Sequence, residues 1–234
     1  LPILSVFGGV HKGFAPPSAS LYQKAESSVN VEVGMRLTTN KMKLEAIAFN
    51  NNYSNMLGSD LAAQGGQGTL EQFNVGKAMV NGLELMFQYL PLPKHFAFQL
   101  PIQLSYTYTN TQMKNDFESS AWGHVHYGDE IPYIYKHAFN AQISLEHKRV
   151  EANFGARFNG DMRTTPGQGK IAEREKIPAH VILDASLKVH VNKNITISLN
   201  GINLANKKYL VSRHPSGLRA GHPLGVYGGL RLQL

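Results

Sequence analysis

Residues 224–234 read LGVYGGLRLQL, and apolar and polar side chains alternate along this stretch. Because successive side chains of a β-strand point to opposite faces, the alternation predicts a strand with two different faces. One face carries Leu224, Val226, Leu230, Leu232 and Leu234, and the other carries Tyr227, Arg231 and Gln233. In lipid, the backbone groups of such a strand need neighbouring strands as partners, which closure into a barrel provides. We therefore expect the end of the chain to be tied into the wall of a barrel.

The same period of two recurs along the sequence and predicts about ten strands. They lie near residues 3–11, 29–37, 42–53, 80–89, 96–109, 139–146, 150–158, 181–191, 195–203 and 224–234. No window shows a sustained helical period. Pro101 interrupts one of these segments, and because proline has no N–H to donate, it predicts a bulge or an end of pairing there.

Short and long connections alternate between the predicted strands. Residues 39–41, 92–94, 147–149 and 192–194 are tight turns, whereas residues 12–27, 54–72, 110–131, 160–178 and 205–222 are long, polar and glycine-rich. This alternation is typical of outer-membrane barrels, which have short periplasmic turns and long extracellular loops. The sequence therefore predicts an all-β fold, an antiparallel transmembrane β-barrel portion with multiple passes through the membrane.

Composition agrees with this fold class. Apolar residues make up 42% of the 234 residues, yet no run of 18 or more could form a spanning helix. The first residues, LPILSVFGGV, lack a basic region and a cleavage site of a signal peptide. A barrel strand has to be exported, so we expect residue 1 to lie within a longer precursor.

The formal net charge of +7 is concentrated most clearly in two of the long loops. Basic residues elsewhere are scattered and form no stripe with exposed aromatics, so we predict no nucleic-acid partner. The loop charges are either solvated or form a mouth that attracts an anion, and arginine can grip a carboxylate in a bidentate fashion. The candidate ligand-binding residues are Arg163, Arg213, His214, Arg219 and His222.

Signals for enzyme chemistry are weak. No GxSxG nucleophile motif or Walker A motif is present. His124 and His126 precede Asp129 and Glu130 at a spacing that a metal site could use, but a plain polar loop is the more ordinary interpretation of so short a match. We predict no catalytic residue, metal site or cofactor.

Several blocks of the chain resemble TonB-dependent outer-membrane receptors, in the order in which similar blocks occur in the C-terminal half of those proteins. These are HKGFAPPSASLY (11–22), SVNVEVGMR (28–36), AFNNNYSNML (48–57), NVGKAMVNGLELMFQY (74–89), PYIYKHAFNAQISL (132–145) and NGINLANKKYL (200–210). SRHPSGLRAGHP (212–223) looks most like the ferric-dicitrate receptor branch. The resemblance implies that residues 1–234 supply about ten strands of a larger, 22-stranded barrel, and that the plug domain is absent.

The resemblance also implies a function and a set of partners. We expect a receptor segment for uptake of an iron-citrate-like ferric chelate, located in the outer membrane of a Gram-negative bacterium among its lipids and energised by the TonB system through a plug outside this chain. Two other classes stay open. One is a self-contained ten-stranded outer-membrane enzyme, a protease or lipase. The other is a soluble β-sandwich binding module, which would bury one face of each strand.

Overall fold

The computed structural model of the chain describes residues 2–16, 24–59, 72–93, 95–119, 122–213 and 217–233. Ten long strands form one antiparallel sheet, in which each pairs with the next along the chain. They are β1 (Ile3–Ala15), β2 (Glu26–Thr38), β3 (Met42–Ser59), β4 (Gln72–Tyr89), β6 (Ile102–Met113), β9 (His137–His147), β10 (Val150–Asn159), β13 (His180–His190), β14 (Ile195–Ile202) and β17 (Gly225–Leu232). The predicted number of strands and the all-β class are confirmed.

Shorter elements lie between the long strands. They are β5 (Phe98–Gln99), β7 (Phe117–Ser119), β8 (Gly123–Val125), β11 (Met162–Arg163), β12 (Lys176–Ile177), β15 (Leu210–Ser212), β16 (Arg219–Ala220) and a 3₁₀ turn at Glu173–Glu175. β5 extends the ladder along β9, and β7–β8, β11–β12 and β15–β16 are small antiparallel pairs within the long loops. Across the described ranges, none of the helical segments has the length and apolar character needed to cross a membrane.

The register of the ladder collects apolar side chains on one face of the sheet, here called the apolar face. Phe154 lies opposite Ile143 on one neighbouring strand and opposite Ala185 on the other. Leu187 likewise lies opposite Ala152. Phe154 is 45% exposed and Leu187 is 39% exposed, so none of the described residues forms a layer over this face. A β-sandwich would bury it under a second sheet, so this arrangement counts against the sandwich hypothesis.

The opposite face, here called the polar face, carries hydrogen-bonded polar side chains. The Gln142 amide donates to the Ser144 hydroxyl over 3.1 Å, and that hydroxyl donates to Asn153 Oδ1 over 2.6 Å. Asn153 Nδ2 in turn donates to Ser186 Oγ over 3.1 Å. Ion pairs add to this face, with Arg36 bonded to Glu45 and Arg157 3.4 Å from Asp184. A wall that is apolar on one side and polar on the other is what a membrane barrel requires.

Pro101 ends part of the ladder, as its missing N–H predicts. The Pro101 carbonyl still accepts the Ser144 N–H over 2.9 Å. A residue pair of this kind in an antiparallel ladder normally exchanges two bonds, and proline can supply only one of them. β5 and β6 are therefore separate strands that both lie along β9, whereas pairing of β6 with β4 stops at Ile102.

Several strands extend further than the alternation predicts, and β3 and β4 do so the most. β3 continues to Ser59 and β4 begins at Gln72, so part of the predicted loop at 54–72 is strand. The cause is a shift of register between Tyr53 and Met56, where Asn55 has a φ of +52°. A bulge of this kind leaves one residue unpaired and breaks the period of two.

All the long connections emerge from the same end of the sheet. The ends of β1, β3, β6, β10 and β14 and the starts of β2, β4, β9, β13 and β17 lie there, whereas the tight turns such as 148–149 and 191–194 lie at the opposite end. We call these the long-loop end and the short-turn end. Among the described residues β1 and β17 form the two edges of the sheet and do not pair with each other.

Candidate ligand-binding site at the long-loop end

The loops at the long-loop end are folded onto one another through the short strand pairs. β11 pairs with β12 through Met162 and Ile177, and both of these side chains are buried. β12 also lies beside β15. The loops at 160–179 and 203–224, which carry the candidate ligand-binding residues, are therefore in contact with each other.

Arg163 lies inside this loop structure. Its side chain is only 7% exposed. Its Nε donates to Glu130 Oε2 over 2.8 Å and its Nη2 donates to the Gly169 carbonyl over 3.0 Å. Lys136 Nζ holds the other Glu130 oxygen at 3.2 Å. Arg163 thus ties the loop at 160–179 to the loop before β9, and a ligand would reach it only if the pair with Glu130 opened.

Glu130 remains ionised in this cluster. Partial burial of its carboxyl favours the neutral form, but the hydrogen bond and charge of Arg163, helped by those of Lys136, outweigh burial and hold the Glu130 pKa below its usual value of 4.5. A depressed carboxyl pKa stabilises the folded state above the unfolded pKa, and this stabilisation is lost as the pH falls through the folded pKa.

We expect Glu130→Gln to lower the stability of the loops at neutral pH, because it leaves the Arg163 charge buried without a counter-charge. The difference between the native protein and the variant should begin to shrink as the pH falls below about 4.5, and it should disappear only below the depressed pKa of folded Glu130, where the native carboxyl also becomes neutral. Thermal unfolding of both proteins across this pH range measures the difference. A gap that stays constant down to acid pH would show that ionised Glu130 does not stabilise the loops.

Arg213 is also engaged by the loop beside it. Its Nε donates to the Lys176 carbonyl over 2.7 Å and its Nη2 donates to the Glu173 carbonyl over 3.2 Å. Two guanidinium nitrogens are therefore bonded to backbone oxygens, at a half-buried position. Its third guanidinium nitrogen, Nη1, and its positive charge remain available to bind an anion.

Tyr133 connects the two arginines, a role that the sequence did not reveal. Its N–H donates to the Arg163 carbonyl over 2.9 Å, and its hydroxyl accepts from the Arg213 N–H over 3.4 Å. The same hydroxyl lies 3.4 Å from Ser212 Oγ. The Tyr133 backbone has a φ of +62°, a region that bulky residues rarely adopt without support from their surroundings.

Arg219 and His222 are the exposed members of the candidate set. Arg219 lies on β16 opposite Ser212, with its side chain open to solvent. The His222 ring has Nε2 2.9 Å from the Tyr227 hydroxyl and Nδ1 2.6 Å from the Pro223 carbonyl. His214 lies outside the described residues. The structure thus brings Arg163 and Arg213 together through Tyr133 and leaves Arg219 and His222 facing solvent.

Asn203 fixes the loop that carries Arg213, Arg219 and His222. Its side chain is fully buried. The amide nitrogen donates to the carbonyls of Lys207 at 2.9 Å and His222 at 2.8 Å, while Oδ1 accepts the Lys207 N–H at 2.8 Å. The Asn203 N–H donates to Asp184 on β13 over 2.8 Å. One side chain therefore joins both ends of the last long loop and anchors them to the sheet.

A buried histidine also packs beneath the loops. His180 is 5% exposed, and its ring stacks on Tyr209 with centroids 4.6 Å apart and meets Tyr135 at 6.1 Å. Tyr135 and Tyr209 therefore pack within the loop structure.

The polar face below the loops contains a cavity of about 610 Å³. β9, β10, β13 and β14 form its wall, and Gly155 leaves space where a side chain would stand. Amide and hydroxyl groups line it, together with the Arg157–Asp184 ion pair. Its lining residues include Asn140, Gln142, Asn153, Arg157, Asp184 and Ser186. These polar side chains can bind a hydrophilic molecule, and Ile202 and three alanines add apolar surface to the same wall.

The described part of the chain contains no group of three or more His, Cys, Asp or Glu residues that could hold a metal ion. His124 lies 3.3 Å from Glu118, and His126 lies 4.0 Å from Asp116. The two imidazoles face different carboxylates and do not converge on one position. The spacing that suggested a metal site thus corresponds to two separate surface pairs.

The fold and the site together define the wall of a membrane β-barrel, with an apolar outer surface, a polar inner surface and elaborate loops at one end. The chain belongs to the family described as TonB dependent receptor-like, beta-barrel, whose model matches residues 1–204. Members of this family are outer-membrane proteins of Gram-negative bacteria.

Individual relatives are siderophore receptors. A probable TonB-dependent siderophore receptor, PiuA of Acinetobacter baumannii, is 27% identical over 149 residues, which are 61% of this chain and 19% of that protein. The solved structure of PiuA superposes with a TM-score of 0.71 at 18% identity over 98% of this chain and 34% of that one. The ferric-catecholate import receptor Fiu of E. coli K12, in its closed form, gives 0.70 at 20% identity over 98% and 33%.

A third neighbour, the ferric yersiniabactin uptake receptor FyuA of Yersinia pestis, superposes with a TM-score of 0.69 at 18% identity over 98% of this chain and 35% of that one. The chain thus spans about a third of the length of these solved receptors and about a fifth of the curated relative. These relatives are receptors and transporters and not enzymes, which confirms the prediction that the chain is not an enzyme. The enzyme hypothesis has no support.

Proposed function

We propose that the chain takes part in the uptake of an anionic ferric chelate across the outer membrane, energised through TonB. The observation that carries the proposal is the position of the basic loop residues. They lie at the long-loop end, directly above a polar inner wall, in a chain of a receptor family whose relatives are named for siderophores. A positive mouth raises the local concentration of an anion before it enters.

The proposal includes a place for the chain in a larger assembly. Residues 1–234 would form the C-terminal part of a receptor barrel, with the apolar face against outer-membrane lipid and the polar face towards the lumen. A plug domain outside this chain would occupy the lumen and contact TonB. The unpaired edges of β1 and β17 support this, because lipid does not tolerate an unpaired strand edge.

The chemistry of the loop arginines supports a ligand that carries carboxylates or other oxyanions. Arg219 presents a solvated guanidinium that can bind two oxygens of one carboxylate. An iron-citrate complex has this chemistry, and the block at 212–223 resembles the ferric-dicitrate branch. The fold alone does not determine which ligand is transported, because one fold can carry binding sites for different ligands.

The expected effect of Arg219→Ala is a loss of chelate binding. A charge-assisted hydrogen bond contributes about 1.5 to 3 kcal/mol, so binding of ferric citrate to the receptor should weaken about 10- to 150-fold. Arg213→Ala should have a similar effect, with an added loss of loop order because its bonds to Lys176 and Glu173 are removed. Titration with ferric citrate at two salt concentrations measures both effects.

Lys41→Ala is the matched control, because Lys41 lies in the tight turn between β2 and β3 at the opposite end of the sheet. It should bind ferric citrate like the native receptor. If Arg219→Ala and Lys41→Ala bind alike, the arginine is solvated loop charge. Titration with a ferric catecholate as well as ferric citrate tests two claims separately, namely that the receptor takes up a ferric chelate and that this chelate is iron citrate. Binding of the catecholate but not of the citrate would remove iron citrate as cargo while leaving ferric-chelate uptake in place.

A further inference from the structure

A second basic region lies at the short-turn end, far from the loops. It surrounds a cavity of about 590 Å³ on the polar face. Four basic side chains line this cavity, namely Lys148, Arg149, Lys193 and Arg231, and no acidic side chain does. Lys148 and Arg149 come from the turn between β9 and β10, Lys193 from the turn between β13 and β14, and Arg231 from β17.

The register of the sheet aligns the centre of this cavity in one row. The His190 N–H donates to the Arg149 carbonyl over 2.8 Å. His190 lies opposite Thr196, and Thr196 lies opposite Arg231. Arg149 and Arg231 thus stand at the two ends of the row. They are about 14 Å apart at the backbone, three strand spacings of roughly 4.8 Å, and long side chains from both ends can reach one ligand between them.

Charge near the row is not neutralised by the adjacent carboxylate. Glu151 is the acidic residue nearest the row, and it is bonded to Lys188 Nζ at 2.7 Å and to His190 Nε2 at 2.9 Å. Glu146 lies opposite Glu151 on β9, on the side of β10 away from His190, Thr196 and Arg231. Its negative charge is therefore directed at these two groups. Arg149 and Arg231 make no ion pair with any described residue, and both are exposed.

The row also offers neutral groups that an oxyanion can use. His190 Nδ1 and the Thr196 hydroxyl lie 3.1 Å apart, which holds both groups at the floor of the cavity. A tetrahedral oxyanion matches this arrangement, because guanidinium forks bind two oxygens in one plane and a hydroxyl can bind a third.

We propose that this cavity at the short-turn end is a binding site for a phosphate group. The phosphate belongs either to a soluble polyphosphate or to the head group of an anionic phospholipid. A soluble polyphosphate would reach the cavity from the polar face. A lipid head group would reach it over the rim of the sheet, where the apolar face ends at Val191 and Leu232, which are 52% and 62% exposed. The site lies at the opposite end of the sheet from the chelate-binding loops, and the proposal does not depend on the identity of the chelate.

The test uses the protein purified in detergent micelles, with inorganic pyrophosphate as the probe in isothermal titration. Arg149→Gln and Arg231→Gln should each weaken pyrophosphate binding about 10-fold or more. Arg231→Lys keeps the charge and loses the fork, so it should fall between the native protein and Arg231→Gln. Lys43→Gln is the control, because Lys43 lies on the polar face near the same end but lines a different cavity.

Competition then distinguishes the two sources. If phosphatidylglycerol in nanodiscs displaces pyrophosphate and phosphatidylcholine does not, the site takes a lipid head group. If neither lipid competes, it takes a soluble phosphate. Equal pyrophosphate binding by the native protein and both arginine-to-glutamine variants would overturn the proposal. So would an equal loss in Lys43→Gln, or binding of an acidic peptide with no binding of pyrophosphate. The unfolding temperature of each variant is compared with that of the native protein in the same detergent. Equal temperatures show that the substitutions leave the sheet folded.

Discussion

Replacing Phe154 by arginine is expected to destabilise the membrane-inserted protein by about 2 to 4 kcal/mol. Phe154 lies near the middle of β10 on the apolar face, between Ile143 and Ala185 on the neighbouring strands. A charged group at this position would be placed in hydrocarbon without a partner. Leu187→Arg should have the same direction of effect, with a smaller magnitude if Leu187 lies closer to the interface, because the cost depends on depth.

Ser186→Arg is the matched control for this prediction. Ser186 is the sequence neighbour of Leu187 on the same strand, but its side chain points to the polar face and bonds to Asn153. Arginine there faces the aqueous side, so the cost should be limited to the loss of one hydrogen bond, about 1 kcal/mol. Reversible urea unfolding in lipid vesicles measures all three variants. Similar losses for Leu187→Arg and Ser186→Arg would mean that the two faces are wrongly assigned.

Truncation of Asn203 is expected to have the second large effect. Asn203→Ala removes three hydrogen bonds at a fully buried position and leaves two carbonyls and one N–H without their side-chain partner. Each such loss costs about 1 to 3 kcal/mol. The φ of +50° adds about 1 kcal/mol, because alanine tolerates this conformation less well than asparagine. We expect a total of roughly 4 kcal/mol or more.

The loss should be concentrated in the last long loop. Hydrogen exchange of residues 203–213 and 217–224 measures it directly, and these amides should exchange much faster in Asn203→Ala than in the native protein. Asn203→Gly separates the two causes, since glycine accepts the positive φ but makes no side-chain bond. If the glycine variant behaves like the native protein, the hydrogen bonds of Asn203 contribute little and the backbone conformation is decisive.

The strands and their faces could be predicted because their signal is local. In residues 150–158 and 181–191 every second side chain is apolar, and the structure places those side chains on one face of neighbouring strands. The prediction failed where a bulge interrupts the alternation of apolar and polar side chains. Asn55, with its positive φ, shifts the register of β3 against β4, and the strand beyond it reads as a loop.

The candidate site was predicted less well, because its contacts join residues that are far apart in sequence. From the sequence, Arg163 is a cation in a polar loop and could bind a ligand. Its ion-pair partner Glu130 lies 33 residues earlier, and no local sequence pattern predicts that the two side chains pair. Tyr133 and Arg213 are separated by 80 residues. Asn203 had one visible clue, since asparagine is a residue that adopts positive φ more often than others. Whether Arg213, Arg219 and His222 bind a ligand stays a prediction.

The order of strands in the sheet, which follows the order of the chain, has a consequence for folding kinetics. Every pairing among the ten long strands joins neighbours in their order along the chain, so the chain can build the wall by adding one hairpin at a time. Closing the loop at 203–224 costs about 2 kcal/mol more chain entropy than closing the turn at 148–149, by the logarithmic dependence on loop length. We therefore expect the hairpin of β9 and β10 to form early, and β17 to join late, after Asn203 has ordered the segment that delivers it.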